Sequence, residues 1–292
     1  MRSCFICGNN EFMPIGPLGS RTLRKCNMCG LQFLDPAPDE EALREIYADY
    51  YKAWGIEYLE EEVSRMKRNT FTSYMNKIKK FMPGGKMLDI GCATGEFMSV
   101  AQASGFEVYG VEVAPPGIYR CRELFGAGRV IGGTLREGDF PQNYFDVITL
   151  SDVIEHIAEP HLFLDILANI LKPEGVLMIV TPDTSSRLSR LMGHRWPHYK
   201  EEHVFYYNRS NISRFLSSMF DTISITPAYK TLTINYCLNI IKAYSYAGLL
   251  NKISQILACL PRSIREYQFN ANIGEMFILF RKKINSPASK GQ

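Results

Sequence analysis

The chain has 292 residues, 46% of them hydrophobic, which is enough to build a large globular unit with a sizeable core. Its formal net charge of +3 is nearly balanced and gives no reason to expect a nucleic-acid partner. The first residues lack the apolar segment of a secretory leader, and the charge-free apolar stretch 231–241 is too short to cross a bilayer. We therefore expect a cytoplasmic protein without a transmembrane segment.

Four of the eight cysteines form two C-x2-C pairs, Cys4 with Cys7 and Cys26 with Cys29, which 18 residues separate. Two such pairs can place four thiolates around one tetrahedral Zn²⁺ ion. A segment of about 35 residues buries little apolar surface, so a metal ion would supply the missing stability. Two disulfides are unusual in a cytoplasmic protein, and a redox C-x-x-C motif has no need of a second copy. We predict a zinc ribbon over residues 1–35, whose four protein ligands leave no open position for catalysis.

Residues 36–82 are predicted to form a helical linker. Its first part is rich in aromatic side chains, including Tyr47 and Tyr51, and its second part has apolar residues at helical spacing over residues 65–81. Two interpretations are open for the aromatic part. It packs on the following domain, or it forms a lid over a cofactor and a substrate.

A buried strand, a loop of small residues and an amphipathic helix follow one another over residues 87–97. Small residues in the loop let a ligand approach the backbone, and the helix start offers free N–H groups to an anionic part of that ligand. Asp89, just before the loop, is placed to fix the turn or to bind a ligand amine. The dinucleotide pattern G-x-G-x-x-G is not met, because Ala93 and Glu96 occupy two of its glycine positions. An acidic side chain near a pyrophosphate argues against NAD.

Strands and helices alternate over residues 83–230, which predicts a parallel sheet with helices on both faces. The second strand ends at Glu112, 21 residues after Gly91, where an acid suits the hydroxyls of a ribose. Thr134 and Leu135 follow the third strand and are expected beside the adenine. Ser151 and Asp152 follow the fourth strand.

Three motifs in this order resemble the class I S-adenosylmethionine (SAM)-dependent methyltransferases. Residues 89–95 resemble motif I, residues 145–156 are similar to the post-II region, and residues 171–180 are similar to motif III. Ala93 departs from the glycine that the family usually carries at that place. The resemblance implies an α/β Rossmann-like sheet with an antiparallel last strand, and a SAM site formed by Asp89, Gly91, Ala93, Gly95, Glu112, Val113, Thr134, Leu135, Ser151 and Asp152.

A narrower resemblance adds the ribbon, the tyrosine-rich segment and the sequence Glu-His-Val-Phe-Tyr-Tyr over residues 202–207. These features together are similar to bacterial methyltransferases of sugar, O-antigen and related glycan pathways. The resemblance implies a small acceptor, such as a nucleotide-sugar or a glycan.

In those enzymes a Glu-His pair takes part in catalysis, and Glu202 and His203 match it. We predict His203 as the general base, with Glu202 orienting it and His156 as the second candidate, since histidine titrates near neutral pH. The family's upstream tyrosine is matched only approximately, by Tyr199. A structural alternative is open for both histidines: His203 packs under the helix that follows, and His156 bonds to the backbone.

The C-terminal part, residues 231–292, is predicted to hold a helical insertion, the last strand and a tail. Residues 222–226 and 275–281 are expected to form an antiparallel strand pair at the end of the sheet. The insertion packs on the domain or on a second subunit, or residues 231–260 contact a membrane surface. A non-catalytic partner that docks through its ribbon is the alternative to an enzyme, and the intact nucleoside-binding set argues against it.

Overall fold

The computed structural model describes residues 3–38, 60–243 and 249–284. Tyr47 and Tyr51 lie outside these ranges, so the predicted lid is not part of the description that follows.

A seven-stranded sheet forms the centre of the molecule. In sheet order its strands are β10 (Phe220–Pro227), β13 (Glu275–Lys282), β8 (Leu171–Pro182), β7 (Phe145–Ser151), β4 (Gly85–Ile90), β5 (Phe106–Glu112) and β6 (Val130–Gly132). The last five run parallel, whereas β13 is antiparallel to both of its neighbours. The predicted fold class is therefore confirmed, including the antiparallel last strand.

The central strands are apolar on both sides because helices cover both faces of the sheet. Successive residues of β4 point to opposite faces of the sheet. Met87 belongs to the apolar cluster on one face and Leu88 to the cluster on the other. The first face is covered by helices α1 (Glu60–Ile78), α2 (Glu96–Ala103) and α3 (Pro115–Phe125), which contribute apolar side chains to the Met87 cluster. The second face is covered by α4 (Pro160–Ile170) and α6 (Arg209–Leu216). A short helix, α5 (Arg187–Met192), lies between them in the chain.

The N-terminal segment forms a four-stranded antiparallel sheet. Three strands belong to the ribbon itself, β1 (Phe12–Leu18), β2 (Arg21–Cys26) and β3 (Gln32–Asp35). The fourth strand, β9 (Phe205–Tyr206), comes from the segment that directly follows His203 and pairs with β3. The sequence predicted a ribbon here but not this fourth strand. Through β9 the ribbon shares a sheet with the domain on which it packs.

The insertion between β10 and β13 begins and ends with a strand pair, β11 (Lys230–Leu232) and β12 (Phe269–Ala271). Helices α7 (Ile234–Ala243), α8 (Leu249–Ala258) and α9 (Arg262–Arg265) lie between the two strands. The sequence analysis placed a helical insertion in this part of the chain and did not predict the strand pair. Among the described residues, no helix has the length and apolar character needed to cross a membrane.

Candidate active site

The loop between β4 and α2 turns sharply because three of its residues adopt a positive φ. Gly91 has a φ of 74°, and a Cβ atom there would lie 2.6 Å from Cγ2 of Val153. Gly95, at the start of α2, has a φ of 87°. Only glycine adopts these conformations without strain, so the two glycines fix the course of the loop.

Ala93 also has a positive φ, 47°, which is uncommon for a residue with a side chain. Its N–H donates to Oε2 of Glu112 over 2.8 Å, and the N–H of Ala114 donates to Oε1 over 2.8 Å. The buried Glu112 carboxylate thus holds the loop and the start of α3 together. Each of its oxygens keeps a second lone pair, so the contacts with the backbone are compatible with ribose hydroxyls.

Asp89 lies within β4 and is buried. The hydroxyl of Thr149 donates to its Oδ1 over 2.7 Å. Burial raises the pKa of Asp89 to about 7, and the carboxylates of Glu112 and Glu96 add to this effect while the Thr149 hydrogen bond opposes it. Asp89 is therefore poised to change its protonation state when a cationic group approaches.

The predicted cofactor residue Val113 follows β5, and Thr134 and Leu135, predicted beside the adenine, follow β6 at the same edge of the sheet. Val113 leaves 48% of its surface exposed directly after Glu112, and Leu135 is buried. Thr134 is exposed. An exposed apolar side chain beside a carboxylate suits an adenosine, whose base is flat and apolar on its faces and whose ribose carries hydroxyls. The residues present therefore fit SAM, and their contacts with it stay predictions.

A charged cluster that the sequence did not reveal lies next to this edge. The ammonium of Lys230 is 3.0 Å from Oδ2 of Asp152 and 2.7 Å from Oε1 of Glu275. Burial acts to lower the pKa of Lys230, but the two carboxylates outweigh it and raise the pKa well above its usual value. His198 is 3.7 Å from Glu275, and burial together with Lys230 lowers its pKa to about 3. Lys230 precedes Glu275 by 45 residues, and no sequence pattern indicates that two residues so far apart form an ion pair.

The two candidate catalytic histidines lie next to each other, with ring centroids 4.6 Å apart and planes at 90°. Nδ1 of His156 is 3.0 Å from the carbonyl oxygen of Glu202, to which it must donate, because a carbonyl only accepts. His203 is 4% exposed, and its Nδ1 has no hydrogen-bond partner in the described parts of the chain. Burial, followed by His156, lowers the pKa of His203 well below its usual value.

The role of Glu202 in orienting His203 stays a prediction, and the structure shows two other contacts of this residue. Its carboxylate lies 3.6 Å from the ammonium of Lys200, so its side chain has an ion-pair partner other than His203. Its carbonyl group orients His156 instead. Tyr199 donates its hydroxyl to Oε1 of Gln32 over 2.9 Å and packs against the ribbon, so its side chain contacts ribbon residues.

The four ribbon cysteines converge. Their sulfur atoms lie within 4.8 Å of one another, and the pairs Cys4–Cys29 and Cys7–Cys26 are both 3.5 Å apart. Sulfurs around a tetrahedral zinc with bonds of about 2.3 Å stand about 3.8 Å apart. All four thiols are free. The donor set and its spacing fit Zn²⁺, which stays a prediction.

The sequence model of a family described as a methyltransferase domain matches residues 42–218. The chain belongs to this family. Membership supports the SAM-dependent methyltransferase activity that motifs I, post-II and III predicted.

Among solved structures, a protein from Pyrococcus horikoshii OT3 superposes with a TM-score of 0.52 at 18% identity, over 80% of this chain and 99% of that one. A SAM-dependent methyltransferase from Thermotoga maritima gives 0.50 at 18% identity, over 82% and 98%. At this identity the two likenesses show the fold alone.

Two curated relatives carry the name ubiquinone biosynthesis O-methyltransferase. The mitochondrial protein of Schizosaccharomyces pombe is 30% identical over 120 residues, which is 39% of this chain and 44% of the relative. The protein of Glaesserella parasuis is 26% identical over 129 residues, 41% of this chain and 55% of the relative. The alignments thus span about half the length of these relatives, and neither name mentions a sugar or a glycan.

Proposed function

We propose that this protein transfers the methyl group of SAM to a hydroxyl group of a small acceptor. The observation that carries the proposal is that the glycine loop, the Glu112 carboxylate that braces it and His156 follow the carboxyl ends of neighbouring parallel strands, with the ring of His203 against that of His156. Family membership supports the cofactor, and the names of the two relatives support oxygen as the methylated atom.

Within this function the cofactor supplies the activated methyl group, and the protein binds, orients and deprotonates the acceptor. Gly91, Gly95 and Glu112 would hold the nucleoside, and Asp89 would meet the amino group of its methionine part. The acceptor hydroxyl must lose its proton as the new bond forms. We propose that this step depends on His156, which follows the fourth parallel strand, and on His203, whose ring lies against it.

Two acceptor classes have support. The shared ribbon and the Glu-His-Val-Phe-Tyr-Tyr segment favour a nucleotide-sugar or another glycan precursor. The relatives favour an intermediate of ubiquinone biosynthesis. We propose that the protein acts in the cytoplasm, and vesicle binding tests a contact of residues 231–260 with a membrane surface.

The ribbon is proposed to hold one structural Zn²⁺ on Cys4, Cys7, Cys26 and Cys29, on the strength of the sulfur spacing. The alternative role of the ribbon, docking of a separate protein, has less support. The ribbon sheet already takes β9 of its own chain as its fourth strand, and Phe5 makes edge-to-face contacts with Phe205 and Phe215.

The decisive experiment uses the purified chain with SAM labelled in its methyl group. Calorimetry with SAM and with NAD tests the cofactor, and SAM alone is expected to bind. Labelled methyl transfer is then measured against a panel of nucleotide-sugars and of hydroxylated ubiquinone intermediates. Binding of NAD without SAM would reject the proposal, and transfer to one panel would select the acceptor class.

A further inference from the structure

Three side chains, two from the turn after β7 and one from the segment before β9, form a compact group of metal-ligand type. Glu155, His156 and His203 each offer one ligand atom, and these atoms lie within 4.8 Å of one another. We propose that this group binds a divalent transition-metal ion that is distinct from the zinc of the ribbon.

Two buried polar atoms of the group lack a partner. Glu155 is 1% exposed, and its Oε2 accepts a hydrogen bond from Thr181 over 3.0 Å. Its Oε1 and Nδ1 of His203 have no hydrogen-bond partner within residues 3–38, 60–243 and 249–284. Leaving such atoms buried and unpaired is unfavourable, because they lose their hydrogen bonds to water without gaining new ones. One cation between them would satisfy both.

The tautomers of the two histidines suit metal binding. The Nδ1–H of His156 donates to the carbonyl of Glu202, which leaves Nε2 as the nitrogen with the lone pair. Nδ1 of His203 has no hydrogen-bond partner in the described parts of the chain, so its lone pair is available to an ion in the tautomer that carries the proton on Nε2. Histidine ligands of metals commonly donate their other ring N–H to a carbonyl group in this way.

The backbone holds the two segments of the group together. The N–H of Val204 donates to the carbonyl of Glu155 over 2.9 Å, so the residue after His203 is tied directly to the turn that carries the other two ligands. Ligand atoms around one ion stand about 3.0–3.5 Å apart, so side-chain shifts of roughly 1 Å would complete the site.

The charges around Glu155 also favour a bound cation. No basic side chain forms an ion pair with Glu155 among the residues the structure describes, whereas Asp152 has Lys230 and Glu202 has Lys200. A buried carboxylate without a counter-charge is costly, and a divalent ion supplies the charge. Two imidazoles and one carboxylate suit an ion such as Zn²⁺ or Mn²⁺. Three protein ligands leave at least one coordination position open.

The open coordination position can bind the acceptor hydroxyl. This role of the ion rests on the proposed function. An acceptor hydroxyl that binds there is a stronger acid and releases its proton to water. The resulting oxygen anion takes the methyl group from the sulfonium, which leaves S-adenosylhomocysteine. In this mechanism His203 promotes deprotonation of the acceptor by binding the ion, and it does not accept the proton itself.

The test measures Mn²⁺ binding to zinc-loaded protein by electron paramagnetic resonance of free Mn²⁺, because the thiolates of the ribbon do not favour Mn²⁺. One Mn²⁺ per chain is expected to bind and to be displaced by one further equivalent of Zn²⁺. Glu155→Gln and His156→Ala are each expected to weaken Mn²⁺ binding at least about tenfold. The exposed His194 provides the matched control, since His194→Ala removes a histidine outside the group.

SAM affinity, measured on the same samples, reports that each variant is folded and tests the proposed function independently. Protein that binds SAM but takes up no second ion at millimolar Mn²⁺ or Zn²⁺ overturns the metal site and leaves the methyltransferase proposal in place. Equal Mn²⁺ affinity in Glu155→Gln, His156→Ala and wild-type protein also overturns it. Mn²⁺ binding without SAM binding would reject the proposed function and retain the ion.

Discussion

The N–H of Leu34 donates a hydrogen bond to the carbonyl of Val204 over 3.2 Å. Leu34 belongs to the last strand of the ribbon, and Val204 directly follows His203. The N–H of Val204 donates in turn to the carbonyl of Glu155. The ribbon, His203 and the turn after β7 are thus joined by consecutive backbone hydrogen bonds, so the ribbon supports the position of the histidine.

This connection predicts that loss of zinc damages turnover more than cofactor binding. Cys26→Ser removes one of four ligands, so zinc content should fall and the β3–β9 pairing should loosen. All predicted nucleoside contacts come from residues 89–152, so SAM affinity should change little. Metal analysis, calorimetry with SAM and a turnover assay measure the three effects. The control is Cys259→Ser, which alters an exposed thiol outside the ribbon. An equal loss of SAM affinity and turnover would contradict the prediction.

Glu112 is expected to be the most sensitive cofactor residue. Its carboxylate accepts the N–H groups of Ala93 and Ala114, and ribose hydroxyls would use its remaining lone pairs. Glu112→Ala removes these charge-assisted hydrogen bonds, and we expect SAM binding to weaken by roughly 2–3 kcal/mol. Calorimetry measures the loss. Glu123→Ala, at an exposed acid of α3, should bind SAM as the wild type does. Unchanged affinity in Glu112→Ala would remove this residue from the site.

The pKa of Asp89, raised to about 7, predicts a dependence on pH with a definite sign. The unfolded chain ionises this group near its ordinary pKa of 3.8, so between about pH 4 and 7 the folded state retains a proton that the unfolded state has lost. The contribution of Asp89 to the free energy of unfolding is therefore full below about pH 4 and declines as the pH rises to about 7. Asp89→Asn should remove this decline in a denaturant titration at several pH values.

Ionisation of Asp89 should also make the affinity for SAM depend on pH. The ammonium group of SAM favours the ionised form of Asp89, so affinity should increase as the pH rises towards about 7, by up to about tenfold per pH unit. In Asp89→Asn the affinity should be lower and flat over this window. A wild-type affinity that is also flat from pH 5 to 7 would show that Asp89 only fixes the turn.

The sequence predicted well what depends on local pattern. The strand, loop and helix around Gly91, the acid at the end of β5 and the paired cysteines are each defined within a few residues, so spacing and residue type identify them. The antiparallel end of the sheet was also predicted, because strands β10 and β13 have clear apolar patterns and the family resemblance supplied their order.

Contacts between segments that are distant in the chain could not be predicted from local sequence patterns. Nothing local indicates that Phe205 and Tyr206 pair with β3, or that Lys230 meets Asp152 and Glu275. The same limit applies to Glu202: its position beside His203 suggested a side-chain role, whereas the structure uses its carbonyl for His156 and its carboxylate for Lys200. Partners of a side chain are set by tertiary packing, which a single sequence does not display.

The Lys230 cluster gives a prediction on stability. Lys230→Ala leaves the buried Glu275 carboxylate without its cation, which should lower the free energy of unfolding by roughly 3 kcal/mol. Arg120→Ala breaks an exposed pair with Glu123 and should cost less than about 1 kcal/mol. Urea denaturation of both variants gives the comparison. Similar losses for the two would mean that Lys230 contributes no more than a surface ion pair.

The last prediction concerns His203. If deprotonation of the acceptor depends on this side chain, His203→Ala should lower turnover by roughly 10²–10⁴ with the true acceptor. SAM affinity should stay close to the wild-type value, because the predicted nucleoside contacts come from other strands. His194→Ala changes an exposed histidine and should turn over normally. The structure adds a second measurement: Mn²⁺ uptake should fall together with turnover, since Nδ1 of His203 is a ligand of the proposed ion. Loss of turnover with full Mn²⁺ uptake would assign His203 the role of a base alone, and normal turnover would remove it from catalysis and leave His156 as the remaining candidate.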